Sequence, residues 1–265
     1  MQLNHNQKIP AEQGRQLTFV SLMAANFTAA CRKLAHHFEF SFLEEADWTE
    51  HRQALADGRA GLAALCGLVY IDWPQTLQLL AAPVPKGDKY NRKPIYYSEV
   101  VVAAEAPFTA FEELAGRSLA INEPRSHSGC AIIGYELARR GLTTDFLGPV
   151  RQSGGHRASL GLVAEGVVDW AAIDSTVFDY WAEREPALFD TLRSLGRLGP
   201  SPHPPLVAQG LPADAVAELR QRMLNLPTDF LSEFGYQGLA EVTDADYDRL
   251  REMSQMAATC WPVRG

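Results

Sequence analysis

Apolar and polar positions fall along this chain in short blocks whose period switches between two and about three and a half residues, so strands and helices are expected to alternate. Residues 17–23 (LTFVSLM) form an apolar run that predicts a strand, and 27–37 carry Phe27, Ala30, Cys31 and Leu34 at helical spacing. Residues 38–43 (FEFSFL) alternate like a strand; 48–56 read as a helix stopped by Asp57-Gly58. The nearly all-apolar run 60–71 (AGLAALCGLVYI) predicts a strand buried on both faces. This β-α-β-α-β order predicts an α/β fold with a parallel sheet covered by helices.

The pattern repeats farther along. Residues 77–83, 97–104, 117–122 and 168–174 read as strands, and 111–114, 130–140, 156–165 and 178–185 as helices. The proline-rich stretch 199–205 (GPSPHPP) has too few amide donors for a helix and reads as an extended connector into 206–208. The tail reads as helices over 213–224, 229–234 and 244–256. The middle of the chain thus has its own β-α-β units between two extended segments, the organisation of a two-lobed clamp. Lobe 1 is expected to comprise 1–98 and 205–265 and lobe 2 99–204, with hinges near 97–104 and 198–208.

Composition narrows the function. A formal charge of -8 and no basic run argue against a nucleic-acid partner. No stretch reaches the ~20 apolar residues of a membrane helix. Residues 1–16 lack the apolar core of a signal peptide, so the chain as written is expected to be cytoplasmic, or periplasmic if a leader precedes this numbering. The cysteines, Cys31, Cys66, Cys130 and Cys260, show neither a CxxC pair nor zinc-site spacing, so free thiols and no metal are expected, with Cys31 and Cys66 in apolar surroundings.

Candidate chemistry gathers at strand ends. Residues 122–129 (NEPRSHSG) join a strand to a helix whose first amides are free and lie at the positive end of its dipole. Ser126 and Ser128 add hydroxyls and Gly129 permits close approach, which makes an anion cradle; simple N-capping uses the same residues. Residues 153–156 (SGGH) open another helix and offer His156, either as an anion donor or as a surface residue. Asp174-Ser175-Thr176 ends a strand where α/β ligands lie, and serves equally as an N-cap. Tyr70, Asp72 and Trp73 follow the strand expected at 60–71 and could wall a cleft or pack in the core; Tyr96 and Tyr97 open the hinge strand with the same ambiguity.

The succession YYSEVVV, FEELAGRSLAINEPRSHSG and GGHRASLGLVAEGVVDWAAIDS resembles the phosphate/phosphite/phosphonate substrate-binding proteins of ABC transporters over about residues 96–205. The resemblance implies a type 2 periplasmic-binding-protein clamp. It implies that Ser126, His127, Ser128 and His156 hold a small oxyanion, that Asp174 or Thr176 contacts the anion or the rest of the ligand, and that Tyr70 closes from the first lobe. His127 replaces the threonine or small polar residue usual there. A carboxylate such as Asp72 near a dianion is unfavourable unless it meets a cationic group, which points to an aminophosphonate-like guest. No catalytic residue and no cofactor are expected; the partners are the oxyanion and ABC membrane subunits. The alternatives are a cytoplasmic enzyme on the same fold, with His127, His156 or Asp174 as acid or base, or a ligand-sensing module.

Overall fold

The computed structural model describes residues 17–44 and 47–261; the leader question raised by residues 1–16 lies outside them. Two sheets form the frame. The first holds β1 (Thr18–Leu22), β2 (Ser41–Phe42), β3 (Leu62–Leu65), β4 (Gln78–Pro85), β10 (Leu206–Ala208) and β11 (Tyr236–Ala240), in the order β11-β4-β10-β3-β1-β2. The second holds β5 (Ile95–Ala103), β6 (Leu119–Ile121), β7 (Val150–Gln152), β8 (Trp170–Asp174) and β9 (Leu192–Pro202), in the order β7-β6-β8-β5-β9.

Helices cover both sheets. Around the first lie α1 (Ala25–His37), α2 (Trp48–Ala56), α3 (Gly67–Ile71) and α8 (Ala213–Leu224). Around the second lie α4 (Ile132–Arg139), α5 (His156–Ala164), α6 (Ser175–Arg184) and α7 (Pro186–Phe189). The helical spacing of Phe27, Ala30, Cys31 and Leu34 turns those side chains into one apolar core with Phe19, Leu62 and Leu206. Asp47 caps α2 by accepting the Glu50 amide.

The sheets are mixed rather than parallel. β1 is parallel to β2 and β3, but β10 runs antiparallel to β3 and β4, and β11 to β4. In the second sheet β6 is parallel to β7 and β8, while β5 is antiparallel to both β8 and β9. The antiparallel members are the strands beside each crossing between sheets. The chain leaves by β4 and β5 and returns by β9 and β10, so returning strands enter from the opposite end. β5 and β9 pair along nearly their whole length, which places the two crossings side by side.

Three expected elements differ. The run 60–71 is not one strand: β3 ends at Leu65, Cys66 caps, and α3 begins, with the Tyr70 amide donating to the Cys66 carbonyl. It is apolar throughout because α3 is buried from another side. A Cβ on Gly67 would lie 2.5 Å from Leu250 Cδ2 of the last helix, α9 (Asp248–Cys260). The alternation over 38–43 is mostly a turn, since Phe38 caps α1 and Glu39 takes φ 57° before the two-residue β2. The helix expected at 229–234 shrinks to a 3₁₀ turn at Ser232–Phe234, and β11 follows where no strand was expected.

α9 belongs to neither side alone. Its Leu250 packs with Val69, Tyr70 and Tyr247 in the core of the first lobe. Met253 and Ala257, one and two turns on, pack with Ile133, Leu137 and Trp170 in the core of the second. Among the described residues no helix is long and apolar enough to cross a membrane. All four cysteines are free thiols.

Candidate functional site

Three loops leave the carboxyl ends of the parallel strands β7, β6 and β8, and they carry most of the residues singled out from sequence. After β6 comes Asn122, then a polar turn, then one π-helical turn, His127–Ala131, leading into α4. Ser126 caps that turn, its Oγ accepting the Gly129 amide at 3.2 Å. Ser128 Oγ lies 3.0 Å from His156 Nε2 at the start of α5. The two turns identified separately in the sequence therefore meet through their side chains, and Ser128 and His156 are both buried.

Asn122 completes the group and was not singled out as a site residue. Its Nδ2 lies 3.4 Å from His156 Nε2, and its Oδ1 is buried with no hydrogen-bond partner in the protein. Gly129 is what admits it: a Cβ there would stand 2.0 Å from Asn122 Oδ1 and 3.0 Å from His156 Cε1. The glycine read as room for a guest is first of all room for this asparagine.

Burial alone lowers the His156 pKa to about 4, so the ring is neutral at neutral pH. A neutral ring that accepts at Nε2 carries its proton on Nδ1, and His156 Nδ1 is buried without a partner. A serine nucleophile needs a basic imidazole oriented through its other nitrogen; here both contacts fall on Nε2 and the ring is a weak base. The opening amides of α5 take no side-chain cap, since Gly155 at the N-cap has no side chain to offer one.

Asp174 and Thr176 adjoin this cluster through Tyr96 and Tyr236. Asp174 caps α6, its Oδ1 accepting from the Thr176 amide at 2.8 Å and the Thr176 hydroxyl at 2.7 Å. Burial pushes its carboxyl up to about 6 against those bonds. It acts electrostatically on Tyr96, whose hydroxyl lies near Ser128, and on Tyr236, whose hydroxyl lies near Thr176. Burial raises both phenols. Tyr236 lies on β11 of the first sheet, so it brings that sheet up to α6 of the second. Cys66, at the head of α3, packs against the apolar core of the first lobe as expected and also lies near the His127 amide.

His127 itself turns away from Ser128. Its Nε2 lies 2.7 Å from Ser201 Oγ on β9, and its ring stands edge-on to Tyr96, so it props the hinge strand. Tyr70 is not brought into the group. Its hydroxyl donates to Asp244 Oδ1 at 2.7 Å and its ring packs on Tyr247. Asp72 is exposed at the end of α3, and Trp73 is buried with its Nε1 donating to Gln209. Sequence reasoning also passed over Asn26, in the first turn of α1: it is 2% exposed, and neither carboxamide atom has a partner. Its signal was a polar residue inside an otherwise apolar helix face.

Two α/β lobes joined by paired crossing strands, with polar turns at the strand ends buried between them, define a clamp-type solute-binding protein of the type 2 periplasmic fold. Residues 24–247 match the family model described as ABC transporter, phosphonate, periplasmic substrate-binding protein, and the chain belongs to that family. It is a family of transport substrate-binding proteins, not of enzymes. The solved structures of similar fold include a binding protein component of an ABC phosphonate transporter (PA3383) from Pseudomonas aeruginosa, with TM-score 0.75 and 13% identity over 91% of this chain and 86% of that one. PhnD1 from Prochlorococcus marinus in complex with methylphosphonate gives TM-score 0.74 and 16% identity over 90% and 97%. XAC2383 from Xanthomonas citri, bound to ATP, gives 0.69 and 17% over 94% and 99%.

Proposed function

We propose that this chain captures a small phosphorus oxyanion, a phosphonate first and phosphate or phosphite next, in the cleft between its lobes and hands it to the membrane subunits of an ABC importer from the periplasm. The observation that carries this reading is the buried Ser128–His156–Asn122 group at the starts of two helices. The Nδ1–H of His156 and the opening amides of α5 supply donors, Ser128 holds the ring in that tautomer by donating to Nε2, and the helix dipole adds positive potential. Ser126 fixes the turn, and Thr176 with Tyr236 closes it from the side. Asp174 faces the part of the ligand away from the anion, or a proton upon it. Tyr70 buttresses Tyr247 rather than touching the guest, and His127 holds the hinge strand. Binding favours the closed clamp only through its differential affinity for that state.

Isothermal titration with methylphosphonate, phosphate and phosphite tests the reading. Saturable binding by the full chain is expected, weakened at least about tenfold in His156→Ala by the loss of one hydrogen bond to a charged group, and weakened less in Ser128→Ala, which only frees the His156 ring to turn. No heat and no rise in melting temperature with any of the three at millimolar concentration overturns it.

A further inference from the structure

Asn26 gives the site a second half. α1 starts just beyond the carboxyl end of β1, beside β3, whose continuation Cys66 lies near the His127 amide of the other lobe. That edge of the first sheet therefore faces the anion turn. The residue before α1 is Ala24, which cannot cap, and the first helical bond is the Thr28 amide to the Ala24 carbonyl. The amides of residues 25–27 have no partner within the helix. Within that turn the Asn26 carboxamide is 2% exposed and unpartnered at both Nδ2 and Oδ1. A buried amide left unpaired is unfavourable, so its retention implies a guest that satisfies it.

The unmatched groups specify that guest. Donors abound, but Asn122 Oδ1 and Asn26 Oδ1 are buried acceptors, and the Asp174 carboxyl stands behind Tyr96 and Tyr236. Among the described residues no lysine or arginine stands among the causes that perturb His156, Asp174, Tyr96 or Tyr236. Two helix starts offer roughly half a charge each. This is complementary to one negative charge with a hydrogen-bond donor, and poorly matched to a dianion that has only lone pairs.

Building on the oxyanion-clamp reading above, we propose that the first turn of α1 with Asn26 forms the lobe-1 half of the site, and that the guest is held as a singly charged oxyanion still bearing one hydroxyl proton. A hydrogen phosphonate fits; a fully ionised sulfonate does not.

Titration of the protein does not mimic the effect. His127, His156 and His203 lie near about 4 and Asp174 near about 6, while Tyr96, Tyr236, Cys31 and Cys66 are all raised by burial. Glu123 is raised by burial as well. Asp179, which acts electrostatically on Asp174, is paired with Lys89, Lys89 also reaches Glu99, and Arg125 lies over the Trp48 ring. Between about pH 7 and about pH 9 the ligand's own second ionisation is thus the titration that matters.

The test is calorimetric affinity of the full chain for methylphosphonate and for difluoromethylphosphonate, a stronger acid, across that range, with methanesulfonate as competitor. Affinity should fall about tenfold per pH unit above each ligand's second ionisation, earlier for the fluorinated ligand, and methanesulfonate should not compete. Asn26→Leu should weaken methylphosphonate about tenfold or more without lowering the melting temperature of the ligand-free protein. Affinity that is flat with pH, a midpoint identical for both ligands, or effective competition by methanesulfonate overturns the protonated-guest assignment while leaving the oxyanion clamp standing. Unchanged affinity in Asn26→Leu overturns the lobe-1 half. Failure of every oxyanion to bind at any pH overturns both this inference and the function it rests on.

Discussion

Gly129→Ala is the substitution in which this site should fail most informatively. The new methyl would stand 2.0 Å from Asn122 Oδ1, 2.6 Å from Asn122 Cγ and 3.0 Å from His156 Cε1. Neither neighbour can give way cheaply, because both are buried and Asn122 sits directly after β6. Overpacking of this kind costs about 1–3 kcal/mol, or roughly 2–12 °C in melting temperature for a chain of this size. Displacing Asn122 and His156 removes two contacts to the guest, roughly 1–3 kcal/mol together, so affinity for methylphosphonate should fall about 5- to 150-fold. The control is Asn122→Ala/Gly129→Ala. Removing the carboxamide frees the space, leaving only the 3.0 Å approach to His156, so the double variant should recover much of the stability but not the affinity. Denaturant unfolding and calorimetry on the four proteins of the cycle measure both. Additive stability effects, or full affinity in Gly129→Ala, would refute the claim that this glycine exists to seat Asn122 against His156.

Acid should destabilise the fold. His127, His156 and His203 each fall from 6.5 to about 4, so their stabilisation is complete above pH 6.5 and lost as pH drops towards 4, roughly 3 kcal/mol apiece. Asp174, raised to about 6, acts oppositely: its contribution is complete below about 4 and lost as pH rises through 6, again roughly 3 kcal/mol. Three histidines outweigh one carboxyl, so denaturant midpoints should decrease from pH 7 to pH 5; an increase contradicts the burial argument. Tyr236→Phe removes a buried hydroxyl beside Thr176, proposed to close the site from the side, and should weaken the ligand about 2- to 12-fold, read by titration calorimetry. Leu250→Ala, at a side chain 1% exposed, should cost about 2–5 kcal/mol in denaturant unfolding; a smaller loss would mean that α9 is not seated in the first core.

What could be read from the residues alone was what depends on local order. The strand–turn–helix succession around Asn122–Gly129 and the glycine-opened helix at His156 were legible because turn chemistry is local. That Ser128 and His156 touch follows from β6 and β7 being parallel neighbours, and β7 was not among the strands the sequence showed. Asn122 looked like the last residue of a strand, and its part in the site arises from a void at Gly129 seven residues on, which no pattern displays. The run 60–71 was misread because a helix packed on two sides is as uniformly apolar as a buried strand, and the resulting shift carried Tyr70 to a helix beside Asp244. β11 escaped notice because it is short and begins just after a 3₁₀ turn that reads as helix. Asn26 was overlooked because a helix opened by alanine shows no cap.

The last helix sets the geometry of gating. Leu250 is anchored on one side of the cleft, and Met253, a turn away, on the other, where the Ser201 hydroxyl also reaches its sulfur at 3.9 Å. A helix of 13 residues is a stiff rod about 20 Å long, and a rod with a foot in each half cannot be pulled apart along its length. The halves must roll about it like leaves on a pin.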